Sequence, residues 1–236
     1  MKAELKVLNR KAQESEKMKQ AFINSICHEI RTPLNSIVGF SDLIMNEDID
    51  EEMRQEFPAE IQKSTLLLTG LVNSMLEVAN LDVSEDKLPC EPTDIRNICI
   101  QEIEKISPKL GIKYQLDIAE DTLLITTNAA YLTMVIEHLL NNANKFTEKG
   151  FITLGYKVNH SNDQICISVA DSGCGIPKEK QEEVFNRFSK LDTFVPGNGL
   201  GLYLCRLIVK RLDGEIKIDP DYTEGTRVIV NLPIHE

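Results

Sequence analysis

The first third of the chain carries two apolar patterns with the spacing of amphipathic helices. In each pattern the side chains recur every three to four residues and gather on one helix face at about 100° per residue. The first pattern comprises Phe22, Ile23, Ile26, Ile30, Leu34, Ile37, Ser41 and Ile44, and the second Ile61, Leu67, Leu68, Leu71, Val72, Met75, Val78 and Leu81. Turn residues at 46–50 separate them. The patterns predict an antiparallel helical hairpin.

The apolar stripes of this hairpin need a partner surface, because one hairpin cannot cover both of them. Pairing of two copies into a four-helix bundle is the simplest arrangement and predicts a homodimer. Packing of the stripes on the C-terminal half is the alternative. Pro58 either opens the second helix at its first turn or kinks an earlier extension. Residues 1–18, which are rich in Lys, Glu, Gln and Ala, are expected to form a helical, coiled-coil lead-in.

The stretch 82–92 changes composition and carries two prolines, which indicates a domain boundary. Beyond it we expect helices near 94–107, 128–144, 178–185 and 199–212, and strands near 112–118, 122–126, 151–159, 164–170, 215–219 and 226–232. Helices mixed with mostly non-parallel strands favour an α+β layer, one sheet with helices on one face. The predicted organisation is a lead-in at 1–18, a helical domain at 19–87 and an α+β domain at 88–236.

Composition and charge argue against several classes of function. A hydrophobic share of 42% is enough for a packed core. The net charge of −11 and a pI near 5.0 argue against nucleic acid as a partner. No apolar run reaches the roughly 18 residues of a membrane span, and the N-terminus shows no signal-peptide pattern. The six cysteines lack C-x-x-C spacing, which indicates reduced thiols and a cytoplasmic location.

One histidine falls on the solvent side of the first predicted helix. His28 lies opposite the apolar stripe, Glu29 follows it directly, and Thr32 shares its exposed face. Pro33 has no N–H for the carbonyl of Glu29 and should bend the helix there. Most histidines are surface residues or satisfied core residues. A helix that tolerates this defect beside an exposed imidazole nevertheless favours a working site.

Four polar or glycine-rich clusters mark the second domain. In the first, His138 and Asn142 share a helix face, and Lys145 follows nearly one turn later. An amide oxygen with waters and phosphate oxygens is a usual Mg²⁺ environment, and lysine supplies a mobile charge for phosphate. The other clusters are Asp171–Ile176 after an apolar strand, Val184–Phe188 with two aromatics, and Gly197–Leu202 at the start of a helix.

Each cluster also has a plain structural explanation. An asparagine-rich helix end is commonly a cap, Asp-Ser-Gly is a common turn, and the aromatics fit ordinary core packing. Glycines at a helix start expose N–H groups to an anion. Gly-x-Gly-x-Gly lacks the βαβ surroundings of a dinucleotide fingerprint, however, and the chain has no Walker-type loop. No single cluster decides the function.

The order of the clusters along the chain is more specific, and it resembles the sensor histidine kinases of two-component signalling. The stretch from His28 to Pro33 is similar to the H box of that family, and His138–Thr147 to its N box. Asp171–Ile176 resembles the first glycine box, Val184–Phe188 the F box and Gly197–Leu202 the second glycine box. The resemblance runs from about residue 19 to the end and implies a Bergerat-type ATP-binding sandwich for the second domain.

The resemblance also implies roles at the matching positions. His28 would take the γ-phosphoryl group of ATP and pass it to an aspartate of a response regulator receiver domain, while Glu29 holds the proton on the other ring nitrogen. Thr32 would orient water for dephosphorylation of that regulator. ATP and Mg²⁺ are the implied cofactors, with Asn142 as the metal ligand. The other nucleotide-binding positions would be His138, Lys145, Asp171 (for the adenine amine), Gly173, Gly175, Ile176, Lys190, Gly197, Gly199, Leu200 and Gly201.

Some positions depart from the family pattern. His138 stands where these kinases generally have an asparagine, and its charge would make nucleotide affinity depend on pH near an ordinary pKa of about 6.5. Asn128 replaces an aspartate, an exchange close to neutral for a helix cap. The nucleotide lid between Phe188 and Gly197, which contains Phe194 and Pro196, is short and should order less surface over ATP.

Several readings of the whole protein stay open. The motifs come without a sensor or receiver domain, so the chain is expected to be the cytoplasmic core of a membrane-anchored sensor or a soluble kinase fed by a partner. A regulator phosphatase or weakly active kinase would keep Thr32 and tolerate His138. A dimeric non-catalytic adaptor would not need intact glycine boxes with Asp171, and an ATPase hydrolysing ATP directly would make His28 superfluous.

Overall fold

The computed structural model describes residues 2–45, 50–83, 88–118, 123–159, 163–189, 191 and 199–234. The chain divides into two compact units, one ending at Leu76 and the other beginning at Glu77. No helix in the described ranges combines the length and apolar character that a membrane span requires.

The first unit is helical, as predicted. Helix α1 is Lys2–Ile44, the short α2 is Glu51–Arg54, and α3 is Phe57–Val83. Helix α1 continues through Pro33, and Pro58 lies in the first turn of α3, where its missing N–H costs little. Pro58 therefore opens the second long helix, the first of the two predicted alternatives. Residues 46–49 of the predicted turn lie outside the described residues.

The two long helices contact each other at the turn end of the hairpin. The rings of Phe40 and Phe57 lie 5.5 Å apart between centroids. In α3, buried Phe57, Ser64 and Leu71 recur every seven residues, the spacing of helices that cross at a small angle. On α1, Ile26 is buried and lies two seven-residue repeats before Phe40. This seam holds the hairpin together.

Much of the predicted apolar stripe is uncovered in a single chain. Ile23 and Leu34 are 42% and 45% exposed, whereas Ile30 and Ile37 are half-buried. The side chain of Phe22 lies outside the described part of the structure. Further large exposed apolar side chains of the hairpin are Val38, Leu43, Leu66, Leu67, Val72 and Leu76. These side chains form a surface that a partner can cover.

The second unit mixes helices and strands. Its helices are α4 (Ile95–Lys105), α5 (Ala129–Phe146) and α6 (Gly201–Arg211). Its strands are β1 (Glu91–Asp94), β2 (Ile112–Asp117), β3 (Leu124–Thr127), β4 (Gly150–Asn159), β5 (Gln164–Asp171), β6 (Glu215–Ile218) and β7 (Arg227–Pro233). The short helix expected near 178–185 is instead two 3₁₀ turns, Lys178–Lys180 and Glu183–Phe185.

The strands form two sheets in the described chain, so the expectation of one sheet was wrong. The main sheet has the order β2-β4-β5-β7-β6, in which β2 pairs parallel to β4 and the other pairs are antiparallel. Strand β1 was not predicted and pairs antiparallel with β3 in a separate two-stranded sheet. Pro92 lies in β1, and a proline argues against a strand in any sequence pattern except at an edge.

One face of the main sheet is buried against the three helices. Alternate residues of the central strands point to this face: Ile152, Leu154, Tyr156, Ile165, Ile167, Val169, Val228, Val230 and Leu232. They belong to one core with α4, α5 and α6 and with Val78 and Leu81 from the end of α3. The second unit therefore begins within α3, because the last turns of that helix pack into this core.

Candidate functional site

Helix α5 presents the N-box residues from a buried apolar face. Leu139, Leu140 and Ala143 are buried, and His138 is half-buried beside them. The His138 Nδ1 atom lies 3.6 Å from the place that a Cβ at Gly201 would occupy, so the N box meets the second glycine box here. Burial lowers the pKa of His138, although Glu137 opposes the shift. The imidazole is therefore neutral at pH 7.

Of the two asparagines and the lysine at the end of α5, one stabilises the fold and two are accessible to a ligand. Asn144 serves the fold, since its side chain accepts from the Tyr114 hydroxyl at 2.8 Å and donates to the Ser107 carbonyl at 3.3 Å. Asn142 is half-buried, one turn after His138. Lys145 is exposed, and its Nζ lies 4.7 Å from the centroid of the Phe146 ring. A ligand can reach Asn142 and Lys145 from the same end of the helix.

Asp171 ends β5 as a buried carboxylate. Its Oδ1 accepts hydrogen bonds from the Gly173 N–H at 2.8 Å and the Thr226 N–H at 3.2 Å. Burial raises the pKa of Asp171, and the two backbone bonds act against that rise. The side chain is only 6% exposed. Both bonds that the described residues make to this carboxylate go to Oδ1. They fix its orientation and leave Oδ2, as far as these residues go, for a ligand donor.

Two glycines allow the backbone to close around Asp171. A Cβ at Gly173 would lie 2.5 Å from the carbonyl oxygen of Phe146, and one at Gly225 would lie 2.2 Å from that of Asp171. The first glycine box thus contacts the end of α5 and the start of β7. Sequence reasoning missed Gly225 and Thr226. The sequence does show a glycine and a hydroxyl residue directly before an apolar strand. This pattern is only a weak indication of a site, because many turns have the same sequence pattern.

The F box lies against the second glycine box. Phe188 has a φ of +58°, and a Cβ at Gly199, whose own φ is +64°, would come within 2.8 Å of the Phe188 backbone. Arg187 stacks over the ring of Tyr203 in α6, 4.7 Å from its centroid. Both contacts hold the F box to the start of α6.

The other residues predicted to bind the nucleotide lie in different surroundings. Gly175 has a φ of +72°, and its Cβ would lie 3.3 Å from the Gly225 carbonyl, so it extends the first glycine box toward β7. Ile176 packs partly into the core. Leu200 is fully buried, and only its backbone can therefore face a nucleotide. Lys190, Gly197 and the lid residues Phe194 and Pro196 lie outside the described residues.

The H-box residues belong to the other compact unit. His28 and Thr32 are exposed on α1, as predicted, and Glu29 is half-buried. The Thr32 hydroxyl lies 3.3 Å from the main-chain carbonyl of His28, to which it donates. An exposed imidazole on a helix is open to attack an incoming electrophile. The structure therefore offers an accessible acceptor on one unit. On the other it offers glycine-lined backbone around Asp171 and at the start of α6, and we call this region the cleft.

The residues around the cleft fit a nucleotide with a divalent cation. Gly173 and Gly199 have no room for side chains, the buried Asp171 can accept from an amine, and Asn142 offers an amide oxygen of the kind Mg²⁺ prefers. Within the described residues, no group of three or more His, Cys, Asp or Glu side chains could hold a metal on its own.

Comparison with known proteins gives two family matches. The family model of the His Kinase A (phospho-acceptor) domain matches residues 18–84. The model of the histidine kinase-, DNA gyrase B- and HSP90-like ATPase matches residues 127–236. Together the two models account for most of the chain.

Relatives and solved structures agree with these matches. The sensor histidine kinase GacS of Pseudomonas protegens is 28% identical over 98% of this chain, and the chain spans 26% of GacS. Full-length ShkA in complex with AMPPNP superposes with a TM-score of 0.68 at 26% identity, covering 91% of this chain and 46% of ShkA. Histidine kinase ThkA in complex with response regulator protein TrrA gives a TM-score of 0.73 at 25% identity, covering 96% of this chain and 65% of that one.

Proposed function

Since the chain belongs to the histidine kinases of two-component signalling, we propose that it transfers the γ-phosphoryl group of ATP to His28 and then to an aspartate of a response regulator. The observation that carries this proposal is the meeting of the N box, both glycine boxes and the F box around α5 and α6, with an exposed histidine on a separate helical unit. The AMPPNP bound to ShkA and the regulator bound to ThkA support the same substrate and partner.

The chemistry at His28 needs a neutral imidazole. One ring nitrogen attacks the γ-phosphorus, a nitrogen–phosphorus bond forms, the bond to the bridging oxygen breaks, and ADP leaves. Glu29 accepts or holds the proton of the other ring nitrogen, which keeps the attacking nitrogen nucleophilic. The reaction depends mostly on positioning and charge neutralisation. An exposed residue with a neighbouring carboxylate meets these needs.

The nucleotide residues have separate roles in this proposal. Asp171 accepts a hydrogen bond from the adenine amine, while Asn142 and His138 face the metal and phosphates and Lys145 and Lys190 meet the phosphates. The backbones of Gly173, Gly175, Ile176, Gly199, Leu200 and Gly201 line the cleft. When bound, Mg²⁺ would neutralise phosphate charge, with Asn142 as its protein ligand.

The proposed assembly is a homodimer through a four-helix bundle, because the exposed apolar side chains of the hairpin need a cover. We place the lead-in at 1–18, the dimerisation and phosphotransfer domain at 19–87 and the ATP-binding domain at 88–236. The chain spans about a quarter of GacS. We therefore propose that an upstream sensor controls it and that it works in the cytoplasm.

The test of the kinase proposal is incubation with γ-labelled ATP and Mg²⁺, comparing wild type with His28→Gln. Acid-labile label should appear in the wild type alone, since phosphohistidine is lost in acid. A matched variant, His160→Gln, removes a histidine outside every motif and should label normally. Equal label in wild type and His28→Gln would exclude His28 as the acceptor.

A regulator phosphatase with weak kinase activity is the second candidate. The observation in its favour is His138, which occupies a position where related kinases generally have asparagine and lies half-buried against the second glycine box. Thr32 beside the acceptor would orient the hydrolytic water. Under this candidate, His138→Asn raises the rate of autophosphorylation, and Thr32→Ala slows dephosphorylation of a phosphorylated receiver domain. Unchanged rates in both variants would exclude it.

A further inference from the structure

Ser172 lies between the two residues of the first glycine box that the site depends on most, Asp171 and Gly173. Its Oγ accepts a hydrogen bond from the Phe151 N–H at 2.9 Å. The same hydroxyl lies 3.4 Å from the carbonyl oxygens of Lys149 and Phe151, and its single proton can be donated to one of them at a time. The side chain therefore bonds only to main chain at the start of β4, among the described residues.

These bonds continue the sheet beyond its last regular pair. Ile152 and Asp171 are the final partners in the β4–β5 register. One residue further, the Ser172 N–H donates to the Phe151 carbonyl at 3.1 Å while Phe151 donates back to the Ser172 hydroxyl. The hydroxyl thus takes the place of a backbone acceptor, and the strand pairing extends into the glycine box.

Gly150 makes room for this hydroxyl. A Cβ at position 150 would lie 2.1 Å from Ser172 Oγ, and the φ of Gly150 is +120°, a conformation that other residues rarely adopt. The Gly150 N–H is itself bonded to the Gly111 carbonyl at 2.9 Å. The fold therefore leaves the space at position 150 for the serine hydroxyl.

The hydrogen bonds of Ser172 connect the Asp171–Gly173 turn to the segment that follows α5. Residues 149–151 follow the end of α5, which carries Asn142, and Gly173 packs over the Phe146 carbonyl at that end. The Gly173 N–H in turn donates to Asp171 Oδ1. If the Ser172 hydroxyl were lost, the turn could move away from β4, and the Gly173 bond that orients the carboxylate would weaken.

We propose that Ser172 is a positioning residue for adenine recognition, which it serves by fixing the Asp171–Gly173 turn to the segment that joins α5 to β4. This inference rests on the proposed ATP-binding function. It assigns Ser172 no contact with the nucleotide. Its effect passes through Asp171, and it should therefore be specific for ligands that carry the adenine amine.

The test compares ATP with inosine triphosphate, in which a carbonyl replaces the amine, by calorimetric titration of the full chain. In Ser172→Ala we expect the ATP dissociation constant to rise about fivefold to tenfold, the scale of one lost hydrogen bond. The constant for inosine triphosphate should change less than about twofold, because that ligand offers Asp171 no amine to bind. Ser172→Thr, which keeps the hydroxyl, should restore the preference for ATP.

A matched control removes a hydroxyl from β5, the strand that precedes Ser172, away from the glycine box. Ser168 lies in β5, and the Ser168→Ala variant should prefer ATP over inosine triphosphate to the same degree as the wild type. Circular dichroism checks that each variant is folded. Equal losses for both nucleotides in Ser172→Ala, or no loss for either, would overturn the positioning role while leaving the kinase proposal intact. Failure of the wild type to bind ATP would instead overturn the proposed function, and the role of Ser172 with it.

Discussion

At position 225 the fold leaves no space for a side chain. A Cβ there would lie 2.2 Å from the Asp171 carbonyl oxygen and 2.7 Å from the Gly173 nitrogen. Gly225→Ala should lower the free energy of unfolding by about 1–3 kcal/mol, the usual cost of overpacking. It should also weaken ATP binding, since the backbone that must move carries the bonds to Asp171. Urea denaturation and nucleotide titration measure the two effects.

The control for this prediction is another glycine-to-alanine change. Gly70 lies exposed in α3, and a Cβ added at this position would have no other atom within 4 Å. Gly70→Ala should raise the free energy of unfolding by about 0.5–1 kcal/mol, because glycine is unfavourable inside a helix. Wild-type stability and affinity in Gly225→Ala would show that the backbone around Asp171 is not closely packed.

His138 links the stability of the second unit to pH. Burial lowers its pKa in the folded chain below the ordinary 6.5, so the unfolded chain binds this proton first as the pH falls. The free energy of unfolding should therefore decrease as the pH falls below about 6.5, and His138→Asn should reduce that decrease. The pKa of Asp171 is raised by burial in both proteins, so its effect cancels when the two are compared. Denaturation at several pH values without nucleotide makes the comparison.

The same shift changes the expectation for ligand binding. A histidine with an ordinary pKa would make ATP affinity change near pH 6.5, whereas the lowered pKa moves any such change to more acidic pH. The identity of the residue and its departure from the family pattern are visible in the sequence. The direction of the shift needed the structure, because burial against α6 comes from residues far away in the chain.

At the scale of elements, Asn128 joins two segments. Its Oδ1 accepts from the Tyr131 N–H at 3.0 Å and caps α5, while its Nδ2 donates to the Pro89 carbonyl at 2.7 Å. Aspartate could make the cap but not the second bond. We expect the order of stability to be wild type, then Asn128→Asp, then Asn128→Ala, with alanine losing about 1–2 kcal/mol.

Asp94 provides the matched control for this order. It caps α4 by accepting from the Asn97 N–H at 3.2 Å. Asp94→Asn keeps a good cap and should be nearly neutral. Chemical denaturation of the wild type and the three variants gives the comparison. If Asn128→Asp were as stable as the wild type, the bond to Pro89 would contribute nothing measurable.

Long, periodic elements could be predicted from the sequence, and long-range pairings could not. Helices α1, α3 and α5 and strands β4, β5 and β7 follow local apolar patterns, which is why their positions agree with prediction. Strand β1 contains Pro92, and its partner β3 lies beyond a helix and another strand. Local spacing holds no information on such a pairing.

The same distinction applies to the candidate site. His138, Asp171 and Gly173 belong to recognisable motifs and can be found from the sequence. The contact of Thr226 with Asp171 joins residues 55 positions apart, and neither residue's own neighbours indicate it. Ser172 was visible inside a motif, but its role depends on the space left at Gly150.

At the scale of the whole molecule, the proposed homodimer depends on the uncovered apolar side chains of the hairpin. Leu67 on α3 is 42% exposed and Leu34 on α1 is 45% exposed, and both belong to the predicted apolar stripes. Single surface leucines are common, but stripe residues left exposed on both helices of the hairpin favour an interface. If two hairpins pair in a bundle, these side chains become part of its core and tolerate no charge.

Leu67→Asp should therefore dissociate the dimer. A carboxylate buried without a partner in each copy would raise the dimer dissociation constant by about a hundredfold or more. Light scattering over a range of concentrations measures that constant. Leu110→Asp is the matched control, since Leu110 is fully exposed in the second unit, and the variant should remain dimeric.

Nucleotide titration separates loss of the dimer from loss of the fold. The described residues of the nucleotide cleft all belong to the second compact unit, so Leu67→Asp should bind ATP with the affinity of the wild type. A variant that is monomeric and still binds ATP would establish that assembly and nucleotide binding reside in different units. A Leu67→Asp protein that stays dimeric at micromolar concentration would show that the two copies do not pair through this face, and the four-helix bundle would have to be abandoned.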